Sequence, residues 1–186
     1  KNAIRGELGI REEKVLLSIG QFIPRKGIDL LLQAANGMDK RIGIYIIGGT
    51  PTEEYLTFAR ETDLTSVHFV PFQEKEALKR YYIAADPFVL PTREDIWGLV
   101  VNEAMAFGLG VVPTDRCNAG LELIQNGKNG FLVPTEDVHA LREAILACLV
   151  DSRALGQAAL ETIRPYTVQT MAADHITHLT EFSHKD

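Results

Sequence analysis

Six short runs of apolar, largely β-branched residues recur along this chain, and the segments between them carry apolar residues at helical spacing. The runs are Val15 to Gly20, Ile42 to Gly48, Val67 to Val70, Pro87 to Leu90, Gly110 to Pro113 and Gly130 to Val133. They are near-continuously apolar rather than alternating, so both faces of each strand must be covered. The segments Gly27 to Asn36, Glu53 to Thr62, Lys75 to Ala84, Leu99 to Phe107, Ala119 to Gln125 and Asp137 to Val150 predict helices. Parallel neighbours need a crossover, and a helix supplies it. The expected fold class is therefore α/β, a parallel six-stranded sheet with helices on both faces.

The breaks between elements have local causes. Pro51 follows Gly48, Gly49 and Thr50 and is placed to open the next helix, where its missing N–H costs nothing. Asn126-Gly127 and Asn129-Gly130 tolerate positive φ before the sixth run. Beyond Val150, Ser152 to Arg164 and Val168 to Phe182 predict two terminal helices parted at Pro165. With no internal repeat and no second core, residues 1–186 are expected to form a single domain with helices from about residue 151 onward. The chain opens at Lys1 without a methionine and runs almost directly into the first strand, the expectation for a piece of a longer protein.

Charge and composition remove several function classes. A formal charge of -6 without any Lys/Arg cluster does not provide the footprint that nucleic acid requires. No apolar run approaches the ~18 residues of a membrane span, and no signal-peptide pattern opens the chain, so a cytoplasmic location is expected. Cys117 and Cys148 lie outside any CxxC spacing, which predicts free thiols in a reduced compartment.

Ligands of an open parallel sheet bind beyond the carboxyl ends of its strands, so the loops there hold the candidate residues. The loop Gly20-Gln21-Phe22-Ile23-Pro24-Arg25-Lys26-Gly27 sets two cations before a helix, an arrangement that suits a diphosphate as well as a solvated surface pair. Gly48-Gly49 lacks the spacing of a dinucleotide fingerprint and fits a tight turn. The most informative stretch runs from Pro91 to Gly108, where Glu94 and Asp95 precede Trp97-Gly98-Leu99 at a helix start and Glu103 stands one turn inside. Carboxylates there can accept from sugar hydroxyls while free helix amides face phosphate oxygens. Glu103 has Val100, Val101, Ala104 and Met105 around it, a setting in which a carboxylate needs a partner.

These motifs resemble the group 1 glycosyltransferases of GT-B fold. Asp95 to Glu103 matches their E-x7-E region, Gly20 to Leu32 their first phosphate loop, and Tyr81 to Asp86 and Asn129 to Val133 follow in the family's order. The resemblance implies a Rossmann-like domain, the C-terminal half of a GT-B fold, whose N-terminal acceptor domain is absent from this chain. It implies a nucleotide-diphosphate sugar as donor substrate, no cofactor, no metal, and hexosyl transfer with retention to a glycan or lipid-linked acceptor. By the same resemblance, Gly20, Gln21, Arg25, Lys26 and the amides of Gly98 and Leu99 would line the diphosphate site, and Glu103 would meet the ribose. Asp95 or Glu94 would meet the donor sugar. Phe69 to Phe72 would lie beside the base, Leu123 to Gln125 near the nucleoside, and Trp97 either in the packing or at the sugar's border. The acceptor, and any contact with the inner face of a membrane, would belong to the missing half.

Three positions depart from the family pattern: Gln21 stands where an arginine is usual, Asp95 where a glutamate is usual, and Gly110 where a proline is usual. Arg25 is the expected replacement for the lost cation at Gln21. A nucleotide-sugar epimerase, a glycan phosphorylase of the same fold and a non-catalytic binding module are the alternatives. His68 reads as a strand residue, and His175 with His178 lacks a third metal ligand.

Overall fold

The computed structural model describes residues 1–167 together with 169, 170, 172, 173, 176 and 177. Five parallel strands, β1 (Lys14–Ile19), β2 (Ile42–Ile47), β3 (Val67–Val70), β4 (Pro87–Leu90) and β5 (Gly110–Pro113), form one sheet in the order β3-β2-β1-β4-β5. The helices are α1 (Asn2–Glu7), α2 (Ile28–Ala35), α3 (Glu53–Glu61), α4 (Lys75–Ala84), α5 (Leu99–Ala106), α6 (Asn118–Leu123), α7 (Val138–Val150) and α8 (Ser152–Ile163).

Strand periodicity divides the core into two layers. Val15, Leu17, Tyr45, Ile47, Phe88, Leu90 and Val111 pack against α4, α5, α6 and α8 through residues such as Tyr82, Val101, Met105, Ala119 and Ala159. Leu16, Ile44, Ile46, Val89 and Val112 face the opposite way, toward Leu31 of α2, Tyr55 of α3 and Ile145 of α7. Consecutive residues thus feed different layers, which is why the runs are apolar at every position. Cys117 and Cys148 are both buried and free. Burial pushes the Cys148 thiol up to about 12, so it behaves as a small hydrophobic side chain.

The sheet has five strands rather than the expected six. Gly130 to Val133 lies beside β5 but pairs only through isolated bridges, Val111 with Gly130 and Thr114 with Val133. Phe131 N donates to Val111 O at 3.0 Å and Val133 N to Pro113 O at 3.1 Å. The ladder bond between them would come from residue 113, and proline has no N–H to give.

Two further differences are local. Pro51 does not open α3; Thr52 is the N-cap, its hydroxyl accepting from Tyr55 N at 3.3 Å, and Glu53 begins the helix. The run-in to β1 is helical, as α1, although no α1 residue is fully buried. Side chains hold α1 down: Arg5 Nη2 and Lys1 Nζ reach the buried Asp86 at 2.7 and 2.8 Å, and Val15 N donates to the same carboxylate at 2.7 Å. The helix expected over Val168 to Phe182 falls largely outside the described residues, as do His175 and His178. Among the described residues no helix is long and apolar enough to cross a membrane.

Candidate functional site

From β1 the chain reaches β2 and β3 on one side, whereas β4 and β5 lie on the other, so the strand order reverses between β1 and β4. A crevice opens at the carboxyl ends of strands flanking such a reversal. The loops that leave β1 and β4 therefore face one another, and they carry the two best candidate stretches.

Lys26 ends the turn Pro24–Lys26 after β1, and its side chain lies over Gly20, where an added Cβ would meet Lys26 carbons at 3.5 Å. Gly27 follows at φ 65°, and a Cβ there would lie 1.9 Å from Pro91 O. Only glycine allows the two loops to touch at this point. Across the contact, Lys26 Nζ meets Asp95 Oδ2 at 2.5 Å, with the side chains only 16% and 15% exposed.

A polar knot fixes the two loops together. Arg93 N donates to Arg25 O at 2.8 Å, and the Thr92 hydroxyl reaches Arg25 O and Glu94 O at 3.0 and 2.9 Å. The Arg93 guanidinium takes both carboxylate oxygens of Asp29 at 2.8 and 2.6 Å, Pro24 O at 2.7 Å and Glu136 Oε1 at 2.5 Å. The hydrogen bonds from Arg93 hold the Asp29 carboxyl below the usual carboxylate range despite burial.

The β4–α5 loop is also tied to the segment after β5. Asp95 N donates to Arg116 O at 2.8 Å, Ala119 N to Trp97 O at 2.8 Å and Asn118 Nδ2 to Ile96 O at 2.7 Å. Gly98, at φ 89°, turns the chain into α5 with the buried Cys117 beneath it, where a Cβ would lie 2.5 Å from the sulfur. The first amides of α5 have no intrahelical acceptor and sit beside the Lys26–Asp95 pair in sequence and fold. Leu99, its first residue, is exposed.

The remaining candidates separate into those the fold assembles and those it leaves in solvent. Glu103 is exposed rather than enclosed by its apolar neighbours, because Val101, Ala104 and Met105 turn to the core and Glu103 to the outer face. It does have a partner: the Tyr82 hydroxyl donates to Glu103 Oε2 at 2.7 Å. Beside it, a cavity of about 700 Å³ runs between α5 and α8, with Glu103, Asn102, Gln157, Arg164 and Tyr166 in its wall. Glu94 and Gln21 are exposed, and among the described residues the Glu94 carboxylate has no hydrogen-bond partner. Arg25 is directed at Glu94 O, 3.0 Å away. Trp97 is half-buried, its indole N–H donating to Asn102 Oδ1 at 2.9 Å. Phe72, just past β3, is 72% exposed. His68 pairs with Glu12 at 2.6 Å and stacks on Tyr45. No cluster of three metal-ligating side chains occurs among the described residues.

Tyr82 and Arg93 are the residues that sequence reasoning did not single out. Tyr82 stands in a stretch already noted for its order, but nothing local says that its hydroxyl meets a carboxylate 21 residues on. Arg93 neighbours the candidate carboxylates, and its acceptors Asp29 and Glu136 lie 64 and 43 residues away.

A parallel sheet covered by helices, with a crevice where its strand order reverses, is the architecture of the doubly wound, ligand-binding α/β domains. Comparison with known proteins narrows this. The family model of the glycosyl transferases group 1 matches residues 1–162, and the chain belongs to that family. It is 31% identical over 163 residues to a GDP-mannose-dependent alpha-(1-6)-phosphatidylinositol monomannoside mannosyltransferase of Mycolicibacterium smegmatis, covering 81% of this chain and 42% of the relative. Among solved structures it is similar to sucrose-phosphate synthase from Thermosynechococcus elongatus, with TM-score 0.85, 27% identity, and 100% and 50% of the two chains covered. It also superimposes on HepE from Anabaena in complex with UDP, with TM-score 0.86, 21% identity, and 97% and 52% covered. The chain thus spans about two-fifths of the length of the curated relatives it matches.

Proposed function

We propose that this chain is the donor-binding domain of a retaining glycosyltransferase, holding a nucleotide-diphosphate sugar while an N-terminal domain presents a glycan or lipid-linked acceptor. The observation that carries the reading is the meeting of Lys26 and Asp95 across the β1/β4 reversal, beside the amino end of α5. In glycosyl transfer, negative charge grows on the departing diphosphate. Lys26 and the α5 amides are fixed donors for that charge, and preorganised donors of this kind account for much of the catalysis in such reactions. On this reading Glu103, oriented by Tyr82, accepts from ribose hydroxyls, and Asp95, rather than its neighbour Glu94, from the donor sugar. The exposed Phe72 ring offers a face for the base.

The relative named for GDP-mannose dependence and the neighbour solved with UDP support a nucleotide-sugar donor. They differ in base, and titration with each nucleoside diphosphate distinguishes the two for this chain. Contact with a membrane, where the acceptor is lipid-linked, would be made by the acceptor domain. The test is calorimetric titration with UDP, GDP and ADP of the wild type, Lys26→Ala and Glu103→Ala. Selective binding of one diphosphate, weakened by both substitutions, is expected; wild-type affinity in Glu103→Ala would refute the ribose contact.

A further inference from the structure

The Lys26–Asp95 pair bears on which ligands the site prefers. With the two atoms 2.5 Å apart and both side chains largely covered, the lysine's charge is engaged by Asp95. A diphosphate that takes Lys26 as counter-ion must draw it from Asp95. The carboxylate then needs another donor, because a partly desolvated anion left without one is unfavourable. The α5 amides nearby are taken by the diphosphate on the donor-site reading. The backbone of Asp95 is engaged with Arg116 O and Asn118 N, and among the described residues Lys26 is the only group bonded to its carboxylate.

What replaces the lysine must therefore arrive with the ligand. A sugar joined to the diphosphate brings hydroxyl donors to Asp95, whereas a bare nucleoside diphosphate has only those of its ribose, which the reading above assigns to Glu103. We propose that the Lys26–Asp95 pair is a selectivity device. Asp95 retains Lys26 against any diphosphate that lacks a sugar, so the site favours the donor and disfavours the nucleoside diphosphate left after transfer. The proposal rests on the donor-site reading above and adds to it a role for Asp95 against the product. Asp95 is in this respect a specificity residue, acting through the lysine that it holds.

The test is a two-residue cycle read by calorimetry on the 186-residue chain, in the wild type, Asp95→Asn, Lys26→Met and the double variant. The ligands are UDP, GDP and ADP and the corresponding UDP-glucose, GDP-mannose and ADP-glucose. Asp95→Asn is expected to bind the preferred diphosphate about fivefold more tightly, the scale of one partly exposed ion pair, and to narrow the preference for the sugar nucleotide by a similar factor. Lys26→Met should bind the diphosphate more weakly. In the Lys26→Met background the Asp95→Asn gain should vanish, since no lysine remains to be released. An equal gain in both backgrounds would mean simple charge repulsion and would overturn the proposal, as would unchanged or weaker binding by Asp95→Asn alone. If the wild type binds none of the six ligands, or Lys26→Met binds the diphosphate normally, the donor-site reading itself fails and takes the proposal with it.

Discussion

The Tyr82 hydroxyl donates to Glu103 Oε2 at 2.7 Å while the Tyr82 ring stacks on Phe107 at 5.0 Å, so a side chain buried in α4 aims an exposed carboxylate on α5. Burial, and then Glu103 itself, push the phenol's pKa upward, keeping it a neutral donor. Tyr82→Phe should weaken diphosphate binding about three- to tenfold, through a less ordered Glu103, while costing only about 1 kcal/mol of stability. Calorimetry and urea denaturation on one preparation separate the two effects. Equal binding in the variant would show that Glu103 does not depend on the tyrosine.

Glycine positions differ sharply in what they tolerate. Gly27→Ala combines positive φ with a Cβ driven into Pro91 O and should cost about 2–4 kcal/mol. Gly49→Ala meets nothing within 4 Å at ordinary φ and should stay within about 0.5 kcal/mol of the wild type. Chemical denaturation of the pair provides its own control.

Acid should loosen the knot around Arg93. Because the folded-state pKa of Asp29 lies below the value of an unfolded aspartate, about 3.9, its stabilisation is complete above that value and fades as pH falls through the lower, folded one. The gap in melting temperature between wild type and Asp29→Asn should therefore be widest near neutrality and shrink below about pH 4. Melting curves across that range would contradict the assignment if the gap were constant. Arg93→Lys should resemble Arg93→Ala rather than the wild type, since an ammonium cannot span both Asp29 oxygens.

Ser18, near the carboxyl end of β1, is buried, and among the described residues its hydroxyl has no hydrogen-bond partner. Ser18→Ala should be neutral or stabilising, by up to about 1 kcal/mol, because it removes an unsatisfied polar group. A lower denaturation midpoint would reveal a bond that the hydroxyl makes in solution.

The strands and most helices could be read because a strand buried on both faces leaves a local signature, apolar at every position, that survives without knowledge of its neighbours. The elements that escaped depend on distant residues. Helix α1 has no buried stripe, and its anchor, Asp86, is 81 residues from Arg5. The run after Asn129 looked like its fellows, and what prevents its pairing is the proline in β5. At the site, sequence supplied Lys26, Asp95 and Glu103 one at a time. That Lys26 touches Asp95, and that Glu103 faces outward to a tyrosine, are side-chain facts that no spacing in the sequence encodes.

The β1–β4 seam is also the pairing of widest sequence separation in the sheet. Lys26 and Asp95 are 69 residues apart, whereas β1 pairs with β2 at the much shorter separation of Lys14 from Ile42. Closing the longer loop is the entropically dearer step. A segment that holds β1, β2 and β3 without β4 carries the lysine but not the carboxylate. The charge pair therefore depends on the longest-range pairing of the sheet, and a chain segment that lacks it possesses neither the pair nor the crevice it occupies.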